Sequence, residues 1–261
     1  MRSKKYIMAR LLKILNIVAL VATIGINYLS NTGILNGETM GSISAKFQNL
    51  FTPAGYAFSI WGLIYLGLLG FVIYYGPFMK STDAKEKVVL NVGWWFIISC
   101  IANSLWIFTW LYEYTLLTIP IMVVLFISLL KIILNNRDLI ESGDFKTAIF
   151  LRWPFYIYSG WISVALIANT AAYLKKIEWT GFGISETAWA ISMFVIAAVI
   201  HLYMVWKMNM SVFAFVAVWA LIAIAVANQH SNHTVYISAI VTAVFILVNV
   251  VFKVLKKKAV F

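Results

Sequence analysis

Three apolar stretches of the chain carry aromatic and amide side chains at intervals of three and four residues. Phe58, Trp61 and Tyr65 form the first set. Trp95, Ser99, Asn103, Trp106 and Trp110 form the second, and Tyr158, Trp161, Ala165, Asn169 and Ala172 the third. On a helix such offsets place side chains along one face. Ring faces stack flat apolar molecules, and a few amides or hydroxyls fix the orientation of what is bound. An asparagine in mid-membrane costs free energy unless its amide is satisfied. Asn103 and Asn169 are therefore expected to point inward, toward each other, a backbone carbonyl or a ligand. The chemistry in view is binding.

The signals for other chemistries are thin. No Asp or Glu lies deep in an apolar run, and Glu113 sits at an end of one, which argues against carboxylate proton relays. No lysine lies mid-run, so a Schiff base is excluded. His230-x-x-His233 has metal-ligand spacing but no carboxylate or cysteine beside it, and a solvated loop is the expected setting. His201 is expected to be a hydrogen-bonded residue of the bundle. There is no Gly-rich phosphate loop and no nucleophile–base pair.

These faces need long apolar elements to hold them, and the composition supplies them. Of 261 residues 63% are hydrophobic and 11% charged, with a mean hydropathy of +0.91. No soluble domain of this size could hide so much apolar surface. The chain reads as an all-α, polytopic membrane bundle. Its single cysteine, Cys100, rules out an intrachain disulfide framework. The net charge of +11 does not point to nucleic acid, because the cations gather at the ends of apolar runs. The N-terminal run lacks a convincing cleavage site and is expected to remain as the first span.

Eight spans are expected, near 9–29, 54–75, 91–111, 114–134, 149–173, 187–206, 210–228 and 234–255. With both termini cytoplasmic, seventeen of the twenty Lys and Arg fall on the cytoplasmic side and only Lys46, Lys175 and Lys176 outside. The expected location is the plasma membrane, as in a bacterial inner membrane. In the second span Pro53 is expected to open the helix. Gly55, Ser59 and Gly62 should form a small-residue face for a neighbouring helix. The outer loop, about 30–53, is long enough for a lid.

Pro53-Ala-Gly-Tyr56-Ala-Phe58-Ser-Ile-Trp61-Gly-Leu-Ile-Tyr65 resembles the second-helix signature of the translocator protein (TspO/MBR, tryptophan-rich sensory protein) family. Asn103-Ser-Leu-Trp106 resembles its third-helix Asn-x-x-Trp, and Trp161, Ala165 and Asn169 its fifth-helix Trp, Ala and Asn. The chain departs from the pattern at Ala54 and Tyr56, where the family has a second proline and a first tryptophan. Pro154 lies three residues early, and the sterol-type motif near Tyr173 is not met.

The resemblance implies a five-helix bundle over residues 1–175; the three further helices expected over 176–261 have no counterpart in the five-helix family. It implies a ligand site among the second, third and fifth spans, made of Pro53, Tyr56, Phe58, Trp61, Tyr65, Asn103, Trp106, Tyr158, Trp161, Ala165 and Asn169. The implied ligand is a porphyrin, haem or a related flat hydrophobic molecule; the implied partners are membrane lipid and, at times, a second copy in a homodimer. A permease for a small hydrophobic compound, or a membrane enzyme acting on a tetrapyrrole or isoprenoid, are the alternatives. Every family-like residue precedes 175, so a chain ended near Ile177 is expected to keep the binding core.

Overall fold

The computed structural model describes residues 2–258. It is 81% helical, and no strand occurs among the described residues. Among the described residues seven helices are long and apolar enough to cross a membrane, and a bent pair makes up to eight if it counts as one span. This is the all-α polytopic bundle that the composition requires. Met1 and 259–261, the ends that the charge pattern assigns to the cytoplasm, lie outside the described residues.

The helices are α1 (Arg2–Leu29), α2 (Met40–Lys46), α3 (Ile60–Tyr74), α4 (Asp83–Val92), α5 (Trp95–Leu111) and α6 (Thr115–Asn135). They continue with α7 (Arg137–Glu141), α8 (Phe145–Thr147), α9 (Trp153–Lys176), α10 (Glu186–Trp206), α11 (Ser211–Asn228) and α12 (His233–Lys258). The chain divides into two compact units. One is Met1–Met40 with Trp61–Ser159; the other is Gly41–Ile60 with Gly160–Phe261.

In the first unit the ends of successive elements alternate. Lys13 Nζ donates to Ser81 Oγ at 2.8 Å, so the start of α1 and the link after α3 share one end. At the other end Asn36 Nδ2 donates to Leu111 O at 2.7 Å and Tyr112 Oη to Leu35 O at 3.1 Å. The link after α1 therefore covers Leu111 O, a carbonyl that the C-terminus of α5 would otherwise leave unsatisfied, and Tyr112 in turn covers the link's Leu35 O.

The third span differs from its expected form. Instead of one helix over 91–111, α4 and α5 meet at 45°. Gly93 adopts φ +53°, a conformation that favours glycine, and it ends α4. The bend is clasped from α6: Asn91 Nδ2 donates to Asn135 O and Asn135 Nδ2 to Asn91 O, both at 3.0 Å.

The contact face of the second span also lies elsewhere than expected. A Cβ added to Gly55 or Gly62 would meet nothing within 4 Å. One on Gly67 would come 3.2 Å from Pro154 Cβ, and one on Gly70 would come 3.2 Å from Phe150 Cδ1. The close approach thus uses glycines one to two turns further along, because the proline and phenylalanine at the start of the fifth span are what they receive. Pro154 has no N–H to donate, and the π turn Ala148–Arg152 directly before α9 absorbs that irregularity.

In the second unit the expected helix start at Pro53 is corrected. Ala54 is extended (φ −57°, ψ 145°), Gly55–Ser59 is a 3₁₀ turn, and α3 begins only at Ile60. The reason is a competing set of partners on α11. Ala54 N donates to Ala223 O at 3.0 Å, Trp219 Nε1 to Ala57 O at 3.3 Å, and Asn228 Nδ2 to Leu50 O at 3.1 Å. Irregular backbone at membrane depth needs such protein partners. Elsewhere in this unit α9 and α11 touch closely: a Cβ on Gly160 would lie 2.7 Å from Phe213 O.

A chain ended near Ile177 loses all three α11 partners of residues 50–57. Its first unit is expected to stay compact, while limited proteolysis cuts within 47–59 at least severalfold faster than in the full chain. Equal protection of that segment in both chains would show that α11 does not hold it.

Candidate functional site

In the first unit α3, α5 and the first turns of α9 bring together five of the eleven residues expected to bind: Trp61, Tyr65, Asn103, Trp106 and Tyr158. Helix register supplies the local order. Trp61 and Tyr65 are one turn apart on α3, and their rings stack at 5.6 Å and 22°. Trp106 and Trp110 are one turn apart on α5, at 6.3 Å and 24°. Trp61 and Trp106 join the two pairs at 6.2 Å and 29°. The result is a nearly parallel ladder of four rings, Tyr65–Trp61–Trp106–Trp110. Tyr158 meets Trp61 edge-on at 5.7 Å and 71°.

Two polar groups frame this ladder. Asn103 is fully buried, and its Nδ2 donates to Tyr158 Oη at 2.8 Å. Its Oδ1 accepts from Asn27 Nδ2 of α1 at 3.4 Å. Within the first unit the Asn103 amide is thus partnered by a tyrosine and a second asparagine. The Tyr65 hydroxyl is buried and has no hydrogen-bond partner among the described residues. At its Trp110 end the ladder touches the start of α2, since Trp110 Nε1 donates to Met40 O at 3.4 Å.

The other six residues belong to the second unit. Phe58 meets Trp161 edge-on at 6.1 Å and 83°. Tyr56 meets Trp219 edge-on at 5.2 Å and 78°. Pro53 and Ala165 are half-buried, Trp161 and Asn169 buried. Phe58 lies in the 3₁₀ turn, so the face it was expected to share with Trp61 and Tyr65 is not a continuous α-helical one. His201 has the expected bundle role: its Nδ1 lies 2.7 Å from Ala197 O and its Nε2 3.2 Å from Ser163 Oγ.

With this geometry in hand, the chain can be set beside known proteins. The family model described as TSPO-like protein matches residues 13–252. The chain belongs to the TSPO-like family. The match runs through α10, α11 and most of α12, so the last three spans lie inside the family's region rather than after it. No curated protein and no solved structure matches the chain.

Three residues of these groups escaped the sequence reading of the site. Trp110 lay on the right face of the third span but outside the family motif. Asn27 follows Thr23 by four residues in the first span, a pair of polar groups in an apolar run that could have been noticed. Trp219 stands alone in the alanine-rich α11, far from every motif residue in sequence.

The groups that the first unit brings together are aromatic faces, the Asn103 amide and the Tyr65 and Tyr158 hydroxyls.

Proposed function

We propose that this member of the TSPO-like family is a binding protein of the plasma membrane, its two ends cytoplasmic. Its ligand is a flat, largely apolar molecule of the porphyrin class, which packs on the Tyr65–Trp61–Trp106 wall of the first unit. The observation that carries this reading is the Tyr65 hydroxyl, buried at the end of a stacked ladder with no partner among the described residues. An unsatisfied buried hydroxyl costs about 1–3 kcal/mol, and such groups in native proteins call for an explanation. A ligand acceptor, such as a carboxylate or carbonyl on an aromatic core, supplies one.

Tyr65→Phe tests it, because the two roles of the hydroxyl move in opposite directions. Without ligand, removal of an unpaired polar atom is expected to leave thermal stability in detergent unchanged or raise it. Affinity for a porphyrin such as protoporphyrin is expected to fall about tenfold, the equivalent of roughly 1.4 kcal/mol. Full affinity in the variant would separate Tyr65 from the site.

The orientation is carried by the charge asymmetry. Reporter fusions after Lys87, Lys146 and Lys258 are all expected to read cytoplasmic. A periplasmic reading at Lys258 alone would mean that α10–α12 cross the membrane a different number of times.

A further inference from the structure

The link between α9 and α10 carries an aromatic group that ligand binding does not use. Trp179 stands edge-on to Phe182 at 5.1 Å and to Trp189 at 4.8 Å. Trp189 Nε1 donates to Gly181 O at 3.1 Å, and Ile184 N donates to the same oxygen at 3.0 Å. Gly181, Phe182 and Gly183 are successively left-handed, at φ +70°, +53° and +82°. Glycine adopts that region readily; phenylalanine does not. A residue held in so unfavourable a conformation points to a role for its side chain. Here the conformation turns the Phe182 ring outward, leaving it 85% exposed, with Ile177 and Ile184 about half exposed beside it.

The flanking charges fix the depth of this group. Lys175 and Lys176 close α9, and Glu186 opens α10. Lys175 Nζ and Glu186 Oε1 pair at 3.1 Å, both side chains well exposed. Charged groups of this kind keep to the ends of spans, where water and headgroups solvate them. Only residues 177–185 separate the two helices, so the aromatic turn lies at that same interface. Tryptophan and lysine beside an exposed phenyl ring are the composition of a membrane-interface anchor.

We propose that residues 177–185 form a prebuilt interfacial wedge whose Phe182 ring inserts at the headgroup–acyl boundary of the bilayer, on the side where α9 ends. The occupant is lipid rather than protein. The turn joins the ends of two apolar spans, and the exposed Lys175 beside it carries the charge that suits the phosphates of a headgroup layer.

The test places a reporter at the tip. In a Cys100→Ser background, Phe182→Cys is labelled with a polarity-sensitive fluorophore and the full chain is reconstituted in vesicles of phosphatidylcholine and phosphatidylglycerol. Blue-shifted emission, quenched several times more by brominated acyl chains than by aqueous iodide, is the expected result. Quenching by iodide alone would place the tip in water and overturn the wedge. Protection from both quenchers that grows with protein density would make a second copy the occupant and overturn it equally. Adding Gly181→Ala strains the turn and drives a Cβ to 2.9 Å from Trp189 Nε1. Lipid quenching should then fall severalfold; if it persists unchanged, the turn's built geometry does not place the ring.

Discussion

Trp61→Ala is expected to lower porphyrin affinity by about one to two orders of magnitude. Trp61 is the hub of the ladder, touching Tyr65, Trp106 and Tyr158. Stacking of a flat base on an aromatic side chain is worth roughly 1–3 kcal/mol, a fair measure for a porphyrin on an indole. The same substitution removes packing, and burial losses for Trp→Ala run to about 3–5 kcal/mol in a well-packed core. Trp61 is only half-buried, so the stability loss should fall below that range. Trp61→Phe separates the two effects, since it keeps a ring between Tyr65 and Trp106. It is expected to regain most of the melting temperature and only part of the affinity. Binding by titration of intrinsic fluorescence and melting in detergent should be measured on both variants. Wild-type affinity in a folded Trp61→Ala protein would remove the ladder from the site.

How much of this was readable from the residues depends on what each feature rests on. The spans were legible because an apolar run of bilayer length has few other fates. Their alternation was legible because successive spans must return across the bilayer, and the Lys13–Ser81 and Asn36–Leu111 bonds agree with it at opposite ends of the first unit. The ladder was half legible. Offsets of four predicted the Trp61–Tyr65 and Trp106–Trp110 neighbours within single helices, but not that Trp61 meets Trp106 across two of them.

The irregular features were hidden for a physical reason. Nothing local in Phe51–Ser59 announces that its helix starts late. That outcome is decided by Ala223, Trp219 and Asn228, which lie far along the chain and compete for its backbone. The bend at Gly93 could have been suspected from the glycine, whereas its clasp pairs Asn91 with Asn135, a link no short-range pattern contains. For the small-residue face, spacing alone named the wrong glycines. What selects Gly67 and Gly70 is the bulk of Pro154 and Phe150 opposite them.

Asn103→Leu is expected to destabilise the first unit. A hydrogen bond between membrane helices contributes only about 0.6 kcal/mol on average, so loss of the bond itself would be mild. Orphaned partners matter more. Leucine leaves Tyr158 Oη, in a residue only 3% exposed, without its donor, and Asn27 Nδ2 without its acceptor. The buried Tyr158 hydroxyl left unsatisfied costs about 1–3 kcal/mol, and the half-buried Asn27 amide adds less. Adding Tyr158→Phe removes one orphan together with its partner, a change that is nearly neutral when both sides go. The double variant should therefore be more stable than Asn103→Leu alone, by about 1–3 kcal/mol. Porphyrin affinity then tells support from recognition. If Asn103 only braces the helices, the restabilised double variant binds as the wild type does. If the amide holds the Tyr158 hydroxyl for the ligand, affinity stays about tenfold low although the fold has recovered, because the phenyl ring keeps its edge contact with Trp61 but presents no polar atom. The second pattern is the expected one. A double variant no more stable than the single would show that the Asn103–Tyr158 bond is not what makes this asparagine matter.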